Sequence, residues 1–187
     1  MSKAAIIAGA FLGFLLLMGV WSVGNYNSLV TSRTQTEKSW SMVETQYQRR
    51  LDLIQNLVET VKGAQIQEQK VFGDIADARS KYAGSNGSSE QAQAAGNVES
   101  ALARLLVITE SYPELKSNQN VQALQTELGK TEDGIAKARD AYNATASNYN
   151  ANIARFPKNL FAGAFGFTKQ NLFKAEAGSE KAPRVKF

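Results

Sequence analysis

The chain contains no cysteine and no histidine. Disulfides, thiolate nucleophiles, imidazole bases and the common zinc ligand sets are therefore excluded. Proline is nearly as scarce, with 3 in 187 residues. Runs of β-branched residues are few, while Ala, Gln, Leu, Glu and Ser abound, so the composition points to helices in a single domain. No block of like charge stands out. Lys and Arg alternate with Asp and Glu, and a net charge of +4 spread in this way leaves no nucleic-acid footprint. The absence of cysteine fits either side of a bacterial membrane.

The same scarcities bear on catalysis. A hydrolase built without His or Cys would need a carboxylate pair or a Ser-Lys dyad. No carboxylates cluster beyond helix-surface spacing, and no strand-turn-helix elbow is present to expose a nucleophile. No glycine pattern follows a strand as a nucleotide loop requires, and a bundle metal site of the Glu-x-x-His kind lacks its histidine. The chain reads as a non-enzyme with no cofactor.

Charge is also missing from Ala4 to Ser32, and "AAIIAGAFLGFLLLMGVWSVG" within that window is almost wholly apolar. A helix of this length spans roughly 30 Å of hydrocarbon. Trp21 and Tyr26 fall at its far end, where amphipathic rings favour the headgroup layer. A cleaved signal peptide is the rival reading, with Ser22 and Gly24 as small residues of a cleavage site. The run is longer than a usual signal core, however, and no polar cleavage region follows it. Residues 1–26 are thus expected to be a single-pass anchor in the bacterial inner membrane. Lys3 and the amino terminus favour a cytoplasmic N-terminus by the positive-inside bias, which places the remainder in the periplasm or outside the cell. Ala5, Gly9 and Gly13 form a small-xxx-small row that would let two such helices approach closely.

Residues 27–156 are expected to form an all-α antiparallel bundle continuing from the anchor, with helices at about 27–82, 90–112 and 120–155. One heptad row holds Trp40, Tyr47, Ile54, Val61, Glu68, Ile75 and Tyr82, and a second holds Val43, Arg50, Leu57, Ala64, Val71 and Ala78. "AGSNGSSE" reads as a loop with Ser88 or Ser89 capping the next helix. Pro113 stops that helix, Asn118 or Asn120 caps the following one, and Pro157 ends it. The tail, residues 157–187, gathers Phe161, Phe165, Phe167 and Phe173 after Phe156. It reads either as a strap over the end of the bundle or as a docking surface for a partner protein or a second membrane.

Counting levels along antiparallel neighbours predicts who faces whom. If the first helix runs unbroken to Tyr82, the second climbs back beside it only to about position 60. The third then carries Phe156 to the tip farthest from the membrane. Asn27 to Gln48 would have no neighbour from its own chain. Trp40, Val43 and Tyr47 would then pack against other copies in a homo-oligomeric stalk, because leaving such a stripe wet costs about 1.5 to 3 kcal/mol per large side chain. Arg50 would fall level with "ESYPELK" and donate to Glu110 or Glu114, or to the free carbonyls where the second helix ends, tying down the Tyr112-Pro113 turn. Glu68 would meet Arg104, with Glu132 and Arg139 farther out. Charges inside a helical seam chiefly fix register.

The stretches "YNSLVTSRTQTEKSWSMVETQYQRRLDLIQNLV", "ITESYPELKSNQNVQALQTEL" and "EDGIAKARDAYNATASNYNANIARFP", with the Phe-rich tail ending "PRVKF", closely resemble the LemA family. The resemblance covers the chain from Tyr26 onward as well as the membrane segment. It implies a helical bundle on one N-terminal anchor. It also implies that Arg50, Asp52, Asn56, Tyr112, Pro113, Asn118, Glu132, Arg139, Tyr142, Asn143, Asn150 and Pro157 stand at motif positions. Gln55 departs from the family, which often has proline there. The function expected is a self-associating structural or scaffolding component of the envelope. The alternative is an envelope binding module that presents its distal tip to a partner.

Overall fold

The computed structural model describes residues 3–173, apart from the side chains of residues 4–6, 8 and 161. Every regular element among them is a helix: α1 (Lys3–Gly63), α2 (Gln69–Gly84), α3 (Gly87–Ser111), α4 (Pro113–Lys116), α5 (Gln119–Ala154) and α6 (Lys158–Ala164). The membrane segment continues without interruption into the helical part, as the apolar run and the heptads together require.

The expected helix from 27 to 82 is interrupted. Gly63 closes α1, the amides of Ala64 and Gln65 bond back to the carbonyls of Val61 and Lys62, and Gln65 takes a φ of 59°. No proline marks this break. The reason lies in what the segment offers for burial: after Val61 come Lys62, Gly63, Ala64, Gln65, Ile66, Gln67 and Glu68, where Ile66 is the one large apolar side chain, too little to hold a further helical turn against a neighbour. Reversal lets α2 bury Ile75, Ala78 and Tyr82 on a face of its own. The heptad row that ran through Glu68 joins two separate helices.

The punctuation elsewhere is local chemistry. Asn86 precedes α3, and its amide donates at 3.0 Å to the carboxylate of Glu90, four residues on, which satisfies the cap amide; this position falls to neither Ser88 nor Ser89. Pro113 occupies the first turn of α4, where its missing N–H is harmless. The Asn118 side-chain oxygen accepts from the amides of Asn120 and Val121 and so caps α5.

The chain divides into two compact units. One comprises α1 up to Ser39 together with Ala144–Gln170; the other comprises Trp40–Asn143 together with the chain from Asn171. In the first, Leu29, Tyr149, Ile153, Ala162 and Phe167 form a small apolar core. In the second, the burial of Val43, Tyr47, Arg50, Ile54, Leu57 and Val61 at alternating spacings of three and four turns one stripe of α1 inward. Val98, Leu102, Leu105 and Ile108 of α3 and Val121, Leu128, Ile135 and Tyr142 of α5 are buried in the same unit.

Candidate functional site

The polar group of greatest interest is Arg50, which is 1 % exposed. It is on the buried stripe of α1 because α1 keeps its heptad phase through this point. Its Nε donates to the Thr131 hydroxyl at 3.2 Å, its Nη2 pairs with Glu132, and its Nη1 lies 3.7 Å from Glu99. Glu99 on α3 accepts from the Tyr47 hydroxyl at 3.0 Å and from Arg139 Nη2 at 2.8 Å. Arg139 also donates to the Tyr47 hydroxyl, so the phenol bridges a cation and a carboxylate. Two guanidinium groups thus meet two carboxylates across three helices, which is the condition for holding charge in an interior.

The arrangement holds protons in place. Burial, and then the Glu99 charge, push the Tyr47 hydroxyl well above the ordinary phenol range against the pull of Arg139. Burial would lower the affinity of Arg139 for its proton, but Tyr47 and Glu99 outweigh that and raise it. Neither group is activated as a base or nucleophile. A dent of about 350 Å³ opens beside Arg50 between Leu102, Leu106, Gln125, Leu128 and Glu132. The guanidinium on its floor is already engaged. Among the described residues no cluster of acidic side chains has metal-holding spacing.

Several expected contacts are replaced by others. Arg50 does not reach the Tyr112-Pro113 turn: Glu110 pairs with Lys116 at 3.0 Å, and the turn is met by Glu68, which accepts from the Tyr112 hydroxyl at 3.2 Å. Arg104 pairs with Asp74 instead of Glu68. Glu132 and Arg139, expected at a distance, are the partners that close the Arg50 and Tyr47 contacts. All these shifts follow from the reversal at 64–68, which moves every later level.

The stalk expectation is overturned for the same reason. Val43 and Tyr47 are buried within this one chain. Trp40 donates to Gln91 at 2.9 Å, meets Tyr142 edge-on at 5.1 Å and stacks on Phe173 at 5.7 Å with the rings 16° apart. The stretch expected to lack neighbours has α3 and α5 beside it. The tail is likewise misplaced by the unbroken-helix count. Instead of a membrane-distal tip, Phe165 and Phe167 pack edge-on against Tyr26, at 5.2 and 5.8 Å, next to the apolar run. Phe156 is exposed, Phe167 is buried and Phe173 is half-buried. The Phe161 and Ala5 side chains and residues 174–187 lie outside the described residues. Gly9 and Gly13 are on the surface of α1, with open space where a Cβ would stand.

Two contacts were invisible to spacing alone. The Asn143 side chain donates to the Phe173 carbonyl at 3.0 Å and accepts from the Phe173 amide at 2.9 Å. The Asn150 side chain does the same with Gln170, both bonds at 2.8 Å. Each carboxamide mimics a peptide group and so captures an extended segment that has no strand to pair with. The seven-residue spacing of Asn143 and Asn150 puts them on one face of α5 but does not say what they meet. Glu99 and Thr131 gave no signal, since each reads as an ordinary surface residue in its helix.

The sequence model of the LemA family matches residues 39–187. The chain belongs to the LemA family. Among curated relatives, Magnetosome protein MamQ 2 and MamQ 1 of Paramagnetospirillum magneticum are each 29% identical over 197 residues, covering 91% of this chain and 70% of theirs. Magnetosome protein MamQ of Magnetospirillum gryphiswaldense is 28% identical over 174 residues, covering 79% of this chain and 64% of its own. With the apolar stretch of α1, which is long enough to cross a bilayer, the LemA family places this chain among membrane-associated helical proteins.

Proposed function

We propose that this LemA-family chain is a single-span, non-enzymatic scaffold of the bacterial envelope. Its helical part stands on the extracytoplasmic side of the inner membrane, and it self-associates through its membrane helix. The observation that carries this reading is the internal commitment of its interior polar groups. The charges at the centre of the helical part are paired with one another, as Arg50 and Arg139 are with Glu132 and Glu99. The residues expected to make a stalk, Trp40, Val43 and Tyr47, are covered by the same chain. The membrane helix, by contrast, is bare: its apolar window has no buried share, and Gly9 and Gly13 leave room for close approach of a second helix. The structural role is read from these features of the chain, since the relatives' names say only that they are magnetosome proteins.

The test is energy transfer between donor- and acceptor-labelled full-length chains in vesicles. The expected result is transfer that persists on dilution with lipid and is lost in the Gly9→Ile, Gly13→Ile double variant. A chain that is monomeric at every protein-to-lipid ratio would end the reading.

A further inference from the structure

The segment from Phe156 to Phe165 is unusually bare for a domain of this size. Phe156 is 79 %, Leu160 64 % and Phe165 57 % exposed, on and around the short α6. Isolated exposed apolar residues need no explanation, but three large ones within ten positions do. What covers them is indicated by where they are held. Phe165 and Phe167 rest on the Tyr26 ring, and Lys158 Nζ donates to the Ser28 hydroxyl at 2.8 Å. Tyr26 and Ser28 are two and four residues beyond Gly24, where the apolar run of α1 ends. At 1.5 Å per residue that is about 3 to 6 Å along the axis, inside a headgroup layer roughly 5 to 7 Å deep on each face.

The charge pattern agrees. From Ala144 to Gln170 the chain has Arg155, Lys158 and Lys169 and not one carboxylate. Lys158 donates to two neutral oxygens, those of Ser28 and Asn152. Aromatic and leucine side chains flanked by cations that form no ion pair among the described residues suit the boundary between acyl chains and anionic headgroups.

We propose that the Phe156–Phe165 segment is a second, interfacial foothold, embedded in the headgroup layer of the bilayer that α1 crosses and holding anionic lipid. The proposal rests on α1 being a membrane span. The foothold would fix the tilt and rotation of the helix end, because one span alone leaves both free.

The native absence of cysteine makes the test direct. Single variants Phe156→Cys, Leu160→Cys and Phe165→Cys of the full chain carry a spin label in vesicles containing phosphatidylglycerol. Leu16→Cys serves as a reference deep in the span and Gln35→Cys as a reference in water. Collision with oxygen is compared with collision with a water-soluble nickel complex. The expected ratio at 156, 160 and 165 is several-fold above that at 35 and below that at 16. If those three match position 35 while 16 is deep, the foothold is wrong and the span stands. If 16 also reports water, the span itself is wrong. If the three are shielded from both reagents, increasingly so as protein replaces lipid, a second copy covers them and the lipid assignment is overturned.

Discussion

In the unit that contains Arg50, burial extends to a full charge, and that charge meets Glu132 and Glu99 of the same chain. In the unit that contains Leu29, the core is a cluster of five apolar or aromatic side chains, and the buried Thr36 and Ser39 are neutral hydroxyls that donate to carbonyls of their own helix, while larger apolar side chains remain outside. The contrast indicates how each is completed. The first closes on itself, with helix, carboxylate and phenol satisfying one another. The second is left open on the side where its chain joins an apolar span, and a bilayer supplies what its own residues do not. A buried ion network gives register and uniqueness at modest net stability, which suits a part that must hold its shape in water. An aromatic segment without carboxylates, as from Ala144 to Gln170, suits a part that must hold its level in a membrane.

This comparison can be broken most severely at Arg50. Arg50→Met should destabilise the Trp40–Asn143 unit by about 3 kcal/mol, the low end for a broken buried pair, because Glu132 and Glu99 can regain some water. Urea unfolding followed by circular dichroism measures it. An unchanged or raised stability would mark Arg50 as a functional cation carried at a cost to the fold.

The two asparagine clamps allow a closer comparison of the units. Each loses two hydrogen bonds on change to alanine, worth about 1 kcal/mol apiece. Asn143→Ala should release Phe173 from the Trp40 ring and red-shift tryptophan emission. Asn150→Ala should raise hydrogen exchange at the Gln170 amide while the buried Phe167 keeps the segment in place, so its stability loss should be the smaller of the two.

The smallest effect is expected at Tyr82. Its hydroxyl is buried without a hydrogen-bond partner, and burial first, then the Glu44 charge, pushes it up to about 12 from 10.0. The raised value means the neutral phenol is favoured when folded. The contribution is therefore complete below pH 10 and is lost as pH climbs toward 12. Tyr82→Phe should leave stability at pH 7 unchanged or higher by up to about 1 kcal/mol, and should flatten the alkaline decline measured by urea midpoint between pH 9.5 and 12.

Much of this was legible in the residues. The apolar run, the stops before Pro113 and Pro157, the Asn118 cap and the inward stripe through Val43, Tyr47 and Arg50 all follow from local rules of period and capping. The partners did not follow. The turn at 64–68 has neither proline nor a loop composition, and its Glu68 falls in phase with the heptads on either side. The chain reversal there is decided by tertiary burial of α2, a long-range effect. A level count without that reversal displaces every later level, pairing Arg50 with Glu110 instead of Glu132 and placing the phenylalanines at the far tip. The carboxamide clamps were hidden for another reason: they recognise backbone, which has no sequence signature.

The central claim is that one unit is finished by its own residues and the other by lipid. Hydroxyl-radical footprinting of the full chain in lipid nanodiscs, normalised for intrinsic reactivity, tests it most directly. Phe156 is 79 % exposed and Tyr112 only 38 %. The account predicts that Tyr112 is oxidised in proportion to its exposure while Phe156 is protected well below its own. Oxidation of Phe156 at or above the normalised rate of Tyr112 would contradict it.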